Sequence, residues 1–506
     1  MWVLILILVI CILLAVIFKL RKIYSYWKDR GVDYVSPLYS FGLLTENSLR
    51  VNSYAKVFEN AYETFPDRRY IGMYNLFQPV LLIRDLELVK RICVKDNDSF
   101  QAHSEVIPLE IDDMWSKNIY AVENAQQWYK IRTVLTPFFT SNKIRTSFPV
   151  IQKFSTNFTD YLKSESAGEK ITLEMYKVIR RLLNDITVNT YFGVSCDSLK
   201  QPNNIVIMMV GEAMNLPGFQ RFFQWFGRFS PQILQLFGIK VFNSRVKKFF
   251  TDIMEESLKL GFKHGFNRHD IIGTLFKLYA SEIPVQNTLN KTIVEDITSQ
   301  AFLLLFSGYE TVVSTLTLMI YELTVNSDVQ EKLFEEITQT LEKYDGIISY
   351  ESIMAMEYLD QTLNETLRLH PPSALIDRQA TEDYVIEAEN PNEKDLLIEK
   401  GTPIWILQNA IQTDADNFPN PKKFDPDRFM IKNKLNMKSY SYIPFGAGPR
   451  SCLGYRYGLM QVKLIITSLL LNFELLPTTK TYVQDSSNTC TVREHGVWVE
   501  LNPRLR

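Results

Sequence analysis

The chain contains 506 residues, of which 46% are hydrophobic and 22% are charged. This composition supports a sizeable buried core and excludes a disordered chain, a collagen-like fibre and a coiled coil. Lys and Arg number 55 against 57 Asp and Glu, so the chain lacks the basic excess that a nucleic-acid-binding protein usually carries.

The N-terminal segment from Met1 to Phe18 contains no charged side chain. As a helix it spans ~27 Å, close to the ~30 Å hydrocarbon core of a bilayer. Basic residues follow at once: Lys19, Arg21, Lys22, Lys28 and Arg30. This order predicts a retained transmembrane signal anchor over residues 1–20, with the rest of the chain in the cytosol. A cleaved signal peptide, the alternative, carries its basic residues before the apolar run. Residues 21–42, basic and containing Pro37, are predicted to form a hinge.

No repeat or low-complexity linker follows residue 42, so one large domain is predicted over residues 43–506. Apolar residues at helical spacing predict helices through most of 127–280 and at 292–325, 328–344 and 350–370. Predicted β segments are Arg69–Tyr74, Val80–Ile83, Ala374–Ala380, Tyr384–Ile386 and Thr402–Leu407, with a hairpin at Thr491–Asn502. The predicted fold class is mainly α with a small β portion (α+β).

The most distinctive motif is the loop FGAGPRSCLG, from Phe445 to Gly454. Its glycines and proline bring backbone N–H groups together just before a helical run that starts at Tyr455. Such N–H groups and the positive end of a helix stabilise a thiolate, which suits a soft metal ligand at Cys452. The alternative is a buried free cysteine, the usual fate of this residue. A dinucleotide-binding loop does not fit, because Ser451 stands where the third glycine belongs. The five cysteines are widely spaced without a CxxC pair, so neither a disulfide framework nor a zinc site has support.

The pattern Phe445-x-x-Gly448-x-Arg450-x-Cys452-x-Gly454 resembles the haem-binding loop of the cytochromes P-450. The resemblance implies the P-450 fold, with Cys452 as the axial thiolate ligand of haem iron. It also implies that Phe445 packs against the loop and that Arg450 pairs with a haem propionate.

Two further motifs follow the family order. Glu365 and Arg368 stand three residues apart on one predicted helix face, a spacing that alone is more often a solvated surface pair. They resemble the ExxR helix of the family. The segment Pro421-x-x-Phe424-x-Pro426-x-Arg428-Phe429 resembles the segment whose arginine joins that pair. The resemblance implies a structural triad of Glu365, Arg368 and Arg428.

Ser307-Gly308-Tyr309-Glu310-Thr311 lies within the long predicted helix. A glycine inside a helix costs ~1 kcal/mol relative to alanine, so Gly308 requires a reason. Either a close-packed neighbour or room for a flat cofactor and O2 would supply it. Glu310 and Thr311 resemble the acid–alcohol pair that delivers protons during oxygen activation. Ser307 replaces the alanine or glycine usual in the family.

Trp128 and Arg132 stand four residues apart and therefore share a helix face. A core tryptophan beside a surface arginine is the simpler interpretation, whereas the resemblance implies two donors to a haem propionate. Arg378 would be a third basic contact. Many family members carry a further arginine or histidine before this helix, and His103 is the candidate for it here.

The resemblance implies an NADPH-dependent haem-thiolate monooxygenase, similar to broad-specificity microsomal members of arthropods. Its cofactor would be heme b, its co-substrate O2 and its substrates small and lipophilic. Electrons would come from a flavoprotein reductase, with cytochrome b5 as a further donor, at the endoplasmic reticulum membrane. The alternatives are a haem-thiolate isomerase or dehydratase without a reductase, and a non-catalytic membrane-tethered haem-binding protein.

The stretch from Ala213 to Thr251 contains basic and aromatic residues but no acidic residue. A buried helical hairpin is one explanation. An anionic bilayer surface attracts the same composition, so a second membrane contact is predicted here.

Overall fold

The computed structural model describes residues 2–36, 52–75, 77–104, 112–214, 240, 242–264, 271–279, 290–373, 375–391, 393–481 and 496–504. The helices are α1 (Trp2–Tyr24), α2 (Tyr26–Asp29), α3 (Asn52–Thr64), α4 (Leu86–Lys90), α5 (Asp113–Ser116), α6 (Ala125–Leu135), α7 (Ser141–Ser166), α8 (Met175–Phe192), α9 (Ile205–Met214), α10 (Ser244–His264), α11 (Ile271–Tyr279), α12 (Lys291–Val325), α13 (Ser327–Lys343), α14 (Tyr350–Met354), α15 (Glu357–Leu369), α16 (Gln408–Gln412), α17 (Ile431–Lys434) and α18 (Tyr455–Asn472). The strands are β1 (Tyr70–Asn75), β2 (Gln78–Ile83), β3 (Ile171–Glu174), β4 (Leu375–Gln379), β5 (Tyr384–Ile386), β6 (Leu396–Ile398), β7 (Pro403–Leu407), β8 (Phe473–Pro477) and β9 (Trp498–Pro503). The described chain is mostly helical with a small β portion, as predicted.

Contacts between residues divide the chain into two compact units. The first unit comprises Met1–Ser104, Ser373–Pro419 and Lys438–Ser451, and the second comprises Glu105–Pro372, Asn420–Met437 and Cys452–Arg506. The chain passes between the units several times, so neither unit is a continuous stretch of sequence. The single domain over residues 43–506 stays a prediction.

The main sheet of the first unit has the strand order β1-β2-β7-β4. β1 and β2 form the predicted antiparallel hairpin, β7 runs parallel to β2, and β4 runs antiparallel to β7. Every residue of β7 is buried, as expected of a central strand that is covered on both faces. β5 pairs with β6, a three-residue strand that the sequence pattern did not predict.

The start of the predicted hinge is packed onto this sheet. α1 continues to Tyr24, and α2 follows after one residue. Trp27 in α2 is fully buried, and its Nε1 donates to the carbonyl oxygen of Met73 in β1 at 2.8 Å. Residues 37–42 of the hinge lie outside the described residues. Large apolar side chains of α1, including Leu6 and Leu14, are exposed.

The core of the second unit is built around α12, which packs against α8 and α18. Helix α12 has the length and hydropathy to cross a membrane, but 72% of its most apolar window is buried inside the protein. This burial identifies α12 as a core helix. The anchor over residues 1–20 stays a prediction.

The second unit also contains a sheet with the order β3-β9-β8, in which β9 is antiparallel to both neighbours. The hairpin predicted at Thr491–Asn502 is wrong in its pairing, because β3 and β8 occupy both edges of β9. Residues 491–495 of that prediction lie outside the described residues. β3 was also missed, because a four-residue strand between two long helices gives too short a pattern to be recognised.

Candidate active site

The part of the cysteine loop that belongs to the first unit is a tight turn. Gly446 and Gly448 both have φ of 72°, and Ser451 donates its N–H to the carbonyl oxygen of Gly448 at 3.0 Å. A Cβ on Gly448 would lie 1.8 Å from the carbonyl oxygen of Cys93. Position 448 therefore requires glycine twice, once for its backbone conformation and once for this close approach.

Arg378 lies under this turn in the first unit. Its side chain is buried, and its Nη1 and Nη2 donate to the carbonyl oxygens of Asp377 and Ala447 at 2.7 and 3.4 Å. Its Nε has no acceptor among the described residues. A buried guanidinium N–H without an acceptor is costly, so this donor fits an anionic partner such as a haem propionate.

His103, the candidate for the further basic residue, lies near Arg378 in the first unit. Its Nδ1 is 3.1 Å from Oδ1 of Asp377, whose other oxygen accepts from the N–H and the hydroxyl of Ser104 at 2.8 and 2.9 Å. Burial lowers the pKa of His103, Asp377 opposes this shift, and the charges of Arg378 and Arg450 favour it. Sequence reasoning missed Asp377, because nothing local links it to a histidine 274 residues earlier.

Cys452 belongs to the second unit and lies just before α18, which begins at Tyr455, the predicted start. The N–H groups of Gly454 and Tyr455 donate to its sulfur, and Arg132 of α6 lies within electrostatic reach. Burial raises the pKa of the thiol, whereas these N–H groups and the arginine act to lower it. Part of the surface of Cys452 is nevertheless exposed.

The two predicted propionate donors, Arg132 and Trp128, both lie on α6. Burial lowers the pKa of Arg132, and the charge of Cys452 opposes that shift, so the two side chains lie within electrostatic reach of each other. Trp128 stands one turn before Arg132 and is partly buried. The propionate role of both residues stays a prediction.

The acid–alcohol pair lies in the unbroken helix α12. The hydroxyl of Thr311 donates to the carbonyl oxygen of Ser307 at 2.6 Å, and the hydroxyl of Ser307 donates to that of Leu303 at 2.8 Å. Ser307 and Thr311 are exposed. Glu310 instead accepts a hydrogen bond from Tyr176 of α8 at 2.9 Å.

The structure supplies a packing reason for Gly308. A Cβ at this position would lie 2.9 Å from the hydroxyl oxygen of Tyr191 in α8. Of the two reasons considered for the glycine, the close-packed neighbour is therefore present, and the cofactor-binding role of Gly308 stays a prediction. Tyr191 was missed because it is more than a hundred residues away in sequence.

Glu365, Arg368 and Arg428 come together in the second unit. Glu365 and Arg368 have no exposed side-chain surface, and Arg428 is 11% exposed. Arg368 grips both carboxylate oxygens, with Nε to Oε2 at 2.7 Å and Nη2 to Oε1 at 2.8 Å. Nε of Arg428 donates to Oε1 at 3.3 Å. The surface-pair interpretation of Glu365 and Arg368 is thereby excluded.

The residues present in each unit fit a haem. The second unit offers a sulfur ligand that is supported by two N–H groups and an arginine, and the first offers a buried arginine with an N–H in need of an acceptor. Phe445 and Arg450 belong to the first unit, and Gly454 belongs to the second. A Cβ on Gly454 would be 3.4 Å from the ring of Phe139.

Comparison with known proteins gives an independent result. A family model described as cytochrome P-450 matches residues 36–498. Cytochrome P-450 9e2 of Blattella germanica is 32% identical over 508 residues, covering 95% of this chain and 94% of the relative. Cytochrome P-450 6j1 of the same organism is 33% identical over 464 residues, covering 92% and 90%. Cytochrome P-450 6B7 of Helicoverpa armigera is 29% identical over 514 residues, covering 100% and 99%.

Proposed function

The chain belongs to the cytochrome P-450 family and is a haem-dependent monooxygenase, and we propose that it inserts one atom of O2 into small lipophilic substrates. In this proposal, NADPH supplies electrons through a separate flavoprotein reductase, with cytochrome b5 as a further donor. The enzyme would be a single-pass protein of the endoplasmic reticulum membrane with its catalytic part in the cytosol.

The observation that carries the proposal is the environment of Cys452. A thiol with two backbone N–H donors, a helix N-terminus and a nearby arginine is equipped to become an anionic sulfur ligand. A bound haem would supply O2 activation, with the thiolate donating electron density towards O–O cleavage. We propose that Arg378, Arg450, Arg132 and Trp128 hold the propionates and that Phe445, Gly448 and Gly454 shape the ligand loop.

We propose that Thr311 and Glu310 deliver protons. A proton donor must hold a fixed hydroxyl or carboxyl within hydrogen-bonding reach of the group that it serves. The bond from Thr311 to Ser307 fixes the threonine side chain on its helix, where it is exposed rather than packed. The hydroxyl of Ser307 makes the same type of bond, because it donates to the carbonyl oxygen of Leu303 at 2.8 Å.

The proposed reductase surface lies in the second unit. Its basic residues are Lys130, Arg132, Lys422, Lys423 and Arg456. All except the partly buried Arg132 are exposed. An acidic partner would be steered to them by charge, mainly through a faster association rate.

The proposal includes two membrane contacts, the anchor over residues 1–20 and the predicted second contact between Ala213 and Thr251. The exposed apolar side chains of α1 support the anchor over residues 1–20. In the second predicted contact, Phe242 and Phe250 are buried in the second unit, so the core explanation applies to them. Phe219, Phe222, Phe223, Trp225, Phe226, Phe229 and Phe237 lie outside the described residues.

The test uses the full-length enzyme, a reductase and a panel of lipophilic substrates. Product is expected only with both NADPH and reductase, and Thr311→Ala should lower product per NADPH about tenfold or more because proton delivery is lost. The matched control is Thr315→Ala, one turn further along α12, whose hydroxyl makes the same type of bond to its own helix at 2.9 Å. Product formed from NADPH without reductase would contradict the proposed electron supply. Equal product per NADPH in both variants would contradict the role of Thr311.

A further inference from the structure

Tyr176 is a buried residue in the first turn of α8 and belongs to none of the sequence motifs. Its position is fixed by Glu174, which precedes the helix. Oε1 of Glu174 accepts the N–H of Tyr176 at 3.0 Å, and Oε2 accepts the N–H of Lys177 at 3.1 Å. Oε1 also accepts the N–H of Val497 at 3.1 Å, which ties this helix start to the chain entering β9. The backbone that carries Tyr176 is therefore firmly held.

The hydroxyl of Tyr176 donates to Oε1 of Glu310 at 2.9 Å. One turn further along α8, Nε of Arg180 donates to the hydroxyl of Tyr309 at 3.1 Å, and that hydroxyl donates to the carbonyl oxygen of Arg180 at 3.2 Å. The guanidinium carbon of Arg180 lies 5.5 Å from the centre of the Tyr176 ring. Glu310 lies within the electrostatic reach of this guanidinium. A hydrogen bond and a positive charge on α8 thus both attract the carboxylate.

Neighbouring residues of an α-helix point in directions about 100° apart. Glu310 is directed to α8, whereas the hydroxyl of Thr311 turns back to Ser307 on its own helix. The placement of the carboxylate therefore depends on its contacts with α8 rather than on its neighbour in sequence. The hydroxyl of Tyr176 supplies the hydrogen bond of that contact, and the guanidinium of Arg180 supplies the positive charge.

We propose that Tyr176 is a positioning residue for Glu310, and through it for proton delivery; this inference rests on the proposed role of Glu310. The hydroxyl holds one carboxylate oxygen at a fixed place on α8, so that the carboxyl group occupies one orientation in which it serves the site. Without the hydroxyl, the side chain samples other rotamers, and fewer turnovers find it in place.

The experiment compares four forms of the holoenzyme with reductase and NADPH: wild type, Tyr176→Phe, Glu310→Gln and the double variant. Tyr176→Phe should lower product per NADPH about threefold or more and raise released peroxide correspondingly, because one hydrogen bond to a charged group is lost. The ratio of product to NADPH does not depend on the fraction of enzyme that carries haem, so partial loading does not affect the result. The double variant should be no worse than Glu310→Gln alone.

The matched control is Tyr309→Phe. It removes a hydroxyl from the same pair of helices, but one that bonds to Arg180 instead of the carboxylate. It should keep wild-type product per NADPH. A second readout is the solvent isotope effect on product formation, which should rise in Tyr176→Phe and stay constant in the control, because only impaired proton delivery is slowed further in D2O.

Each outcome decides between the two proposals. If Glu310→Gln keeps wild-type product per NADPH, the proton role of Glu310 and this inference both fail. If Glu310→Gln is uncoupled while Tyr176→Phe behaves as wild type, or improves, the inference alone is overturned. Equal uncoupling in Tyr176→Phe and Tyr309→Phe would trace the effect to helix packing and would also overturn it.

Discussion

Replacing Glu365 by glutamine tests the buried ion cluster of the second unit directly. Oε1 of Glu365 accepts from Arg368 at 2.8 Å, from the N–H of Asp425 at 2.9 Å and from Arg428 at 3.3 Å, while Oε2 accepts from Nε of Arg368 at 2.7 Å. The glutamine amide keeps one acceptor oxygen. Its NH2 group would then face an arginine donor, and Arg368 would lose the charge that balances it.

The magnitude follows from burial. Neither Glu365 nor Arg368 has exposed side-chain surface, so water cannot solvate the arginine that is left behind. A buried charge stripped of its partner costs about 3–5 kcal/mol in the free energy of unfolding. Burial also raises the pKa of Glu365, although Arg368, the N–H of Asp425 and Arg428 act to lower it. Removing one partner leaves the other charge buried without compensation, whereas removing both does not, so Glu365→Leu combined with Arg368→Leu should cost less than the sum of the two single changes.

The assay is denaturant unfolding of the haem-loaded protein, with haem content measured in parallel. The control is Glu357→Gln, the same chemical change in the first turn of the same helix, where the side chain is exposed. We expect it to cost less than about 1 kcal/mol. The reasoning is refuted if Glu365→Gln costs no more than this control, or if the two leucine substitutions are strictly additive.

Two further predictions concern the first unit and the ligand loop. Gly448→Ala should abolish haem incorporation, because its Cβ would overlap the carbonyl oxygen of Cys93. Gly454→Ala should lower haem incorporation much less, because its Cβ would lie 3.4 Å from the nearest ring. The reduced, CO-bound spectrum per mole of protein measures both variants, and equal loss in the two would contradict the distinction. His103 and Asp377 predict acid sensitivity. Burial lowers the pKa of His103. Despite its burial, Asp377 has a pKa held well below its usual range by His103, Ser104 and Arg378. The unfolded chain binds protons more readily at both groups, so stability should decline below about pH 6.5 through His103 and further below about pH 4 through Asp377. Unfolding midpoints across this range should fall less steeply in Asp377→Asn below pH ~4, and an unchanged slope would contradict the assignment.

The longer helices and the strands of the main sheet were predictable because their signals are local. The hairpin of β1 and β2, the strand β5 and the long helix α12 follow from residue spacing alone. The three-residue strand β6 and the four-residue β3 are too short to show a period, and tertiary pairing decides them. The wrong C-terminal hairpin has the same origin: a turn signal at Gly496 suggested local pairing, but β9 pairs with strands distant in sequence.

The candidate site likewise combines features that residue spacing predicts with contacts that only the fold shows. Spacing alone put Glu365 and Arg368 on one helix face, yet only the fold shows that this face is buried. The partners of Glu310 and Gly308 could not be predicted, since Tyr176 and Tyr191 lie on another helix and belong to no motif. Motifs contain the residues that a reaction or a cofactor needs, whereas the residues that orient them lie elsewhere in the sequence and are brought close by packing.

The ion cluster around Glu365 has a purpose that its energetics alone do not explain. α15 is already capped from outside, because the carboxylate of Glu336 in α13 accepts the N–H groups of Tyr358 and Leu359 at 2.6 and 2.9 Å. Apolar packing and this cap can stabilise the helix without a buried charge. We expect the cluster to fix the position of the segment that follows residue 420, because the N–H of Asp425 and Nε of Arg428 both donate to Oε1 of Glu365. The double leucine variant should therefore lose less stability than the two single changes together but still lose haem content, because apolar contacts tolerate sliding that hydrogen bonds to a single carboxylate forbid.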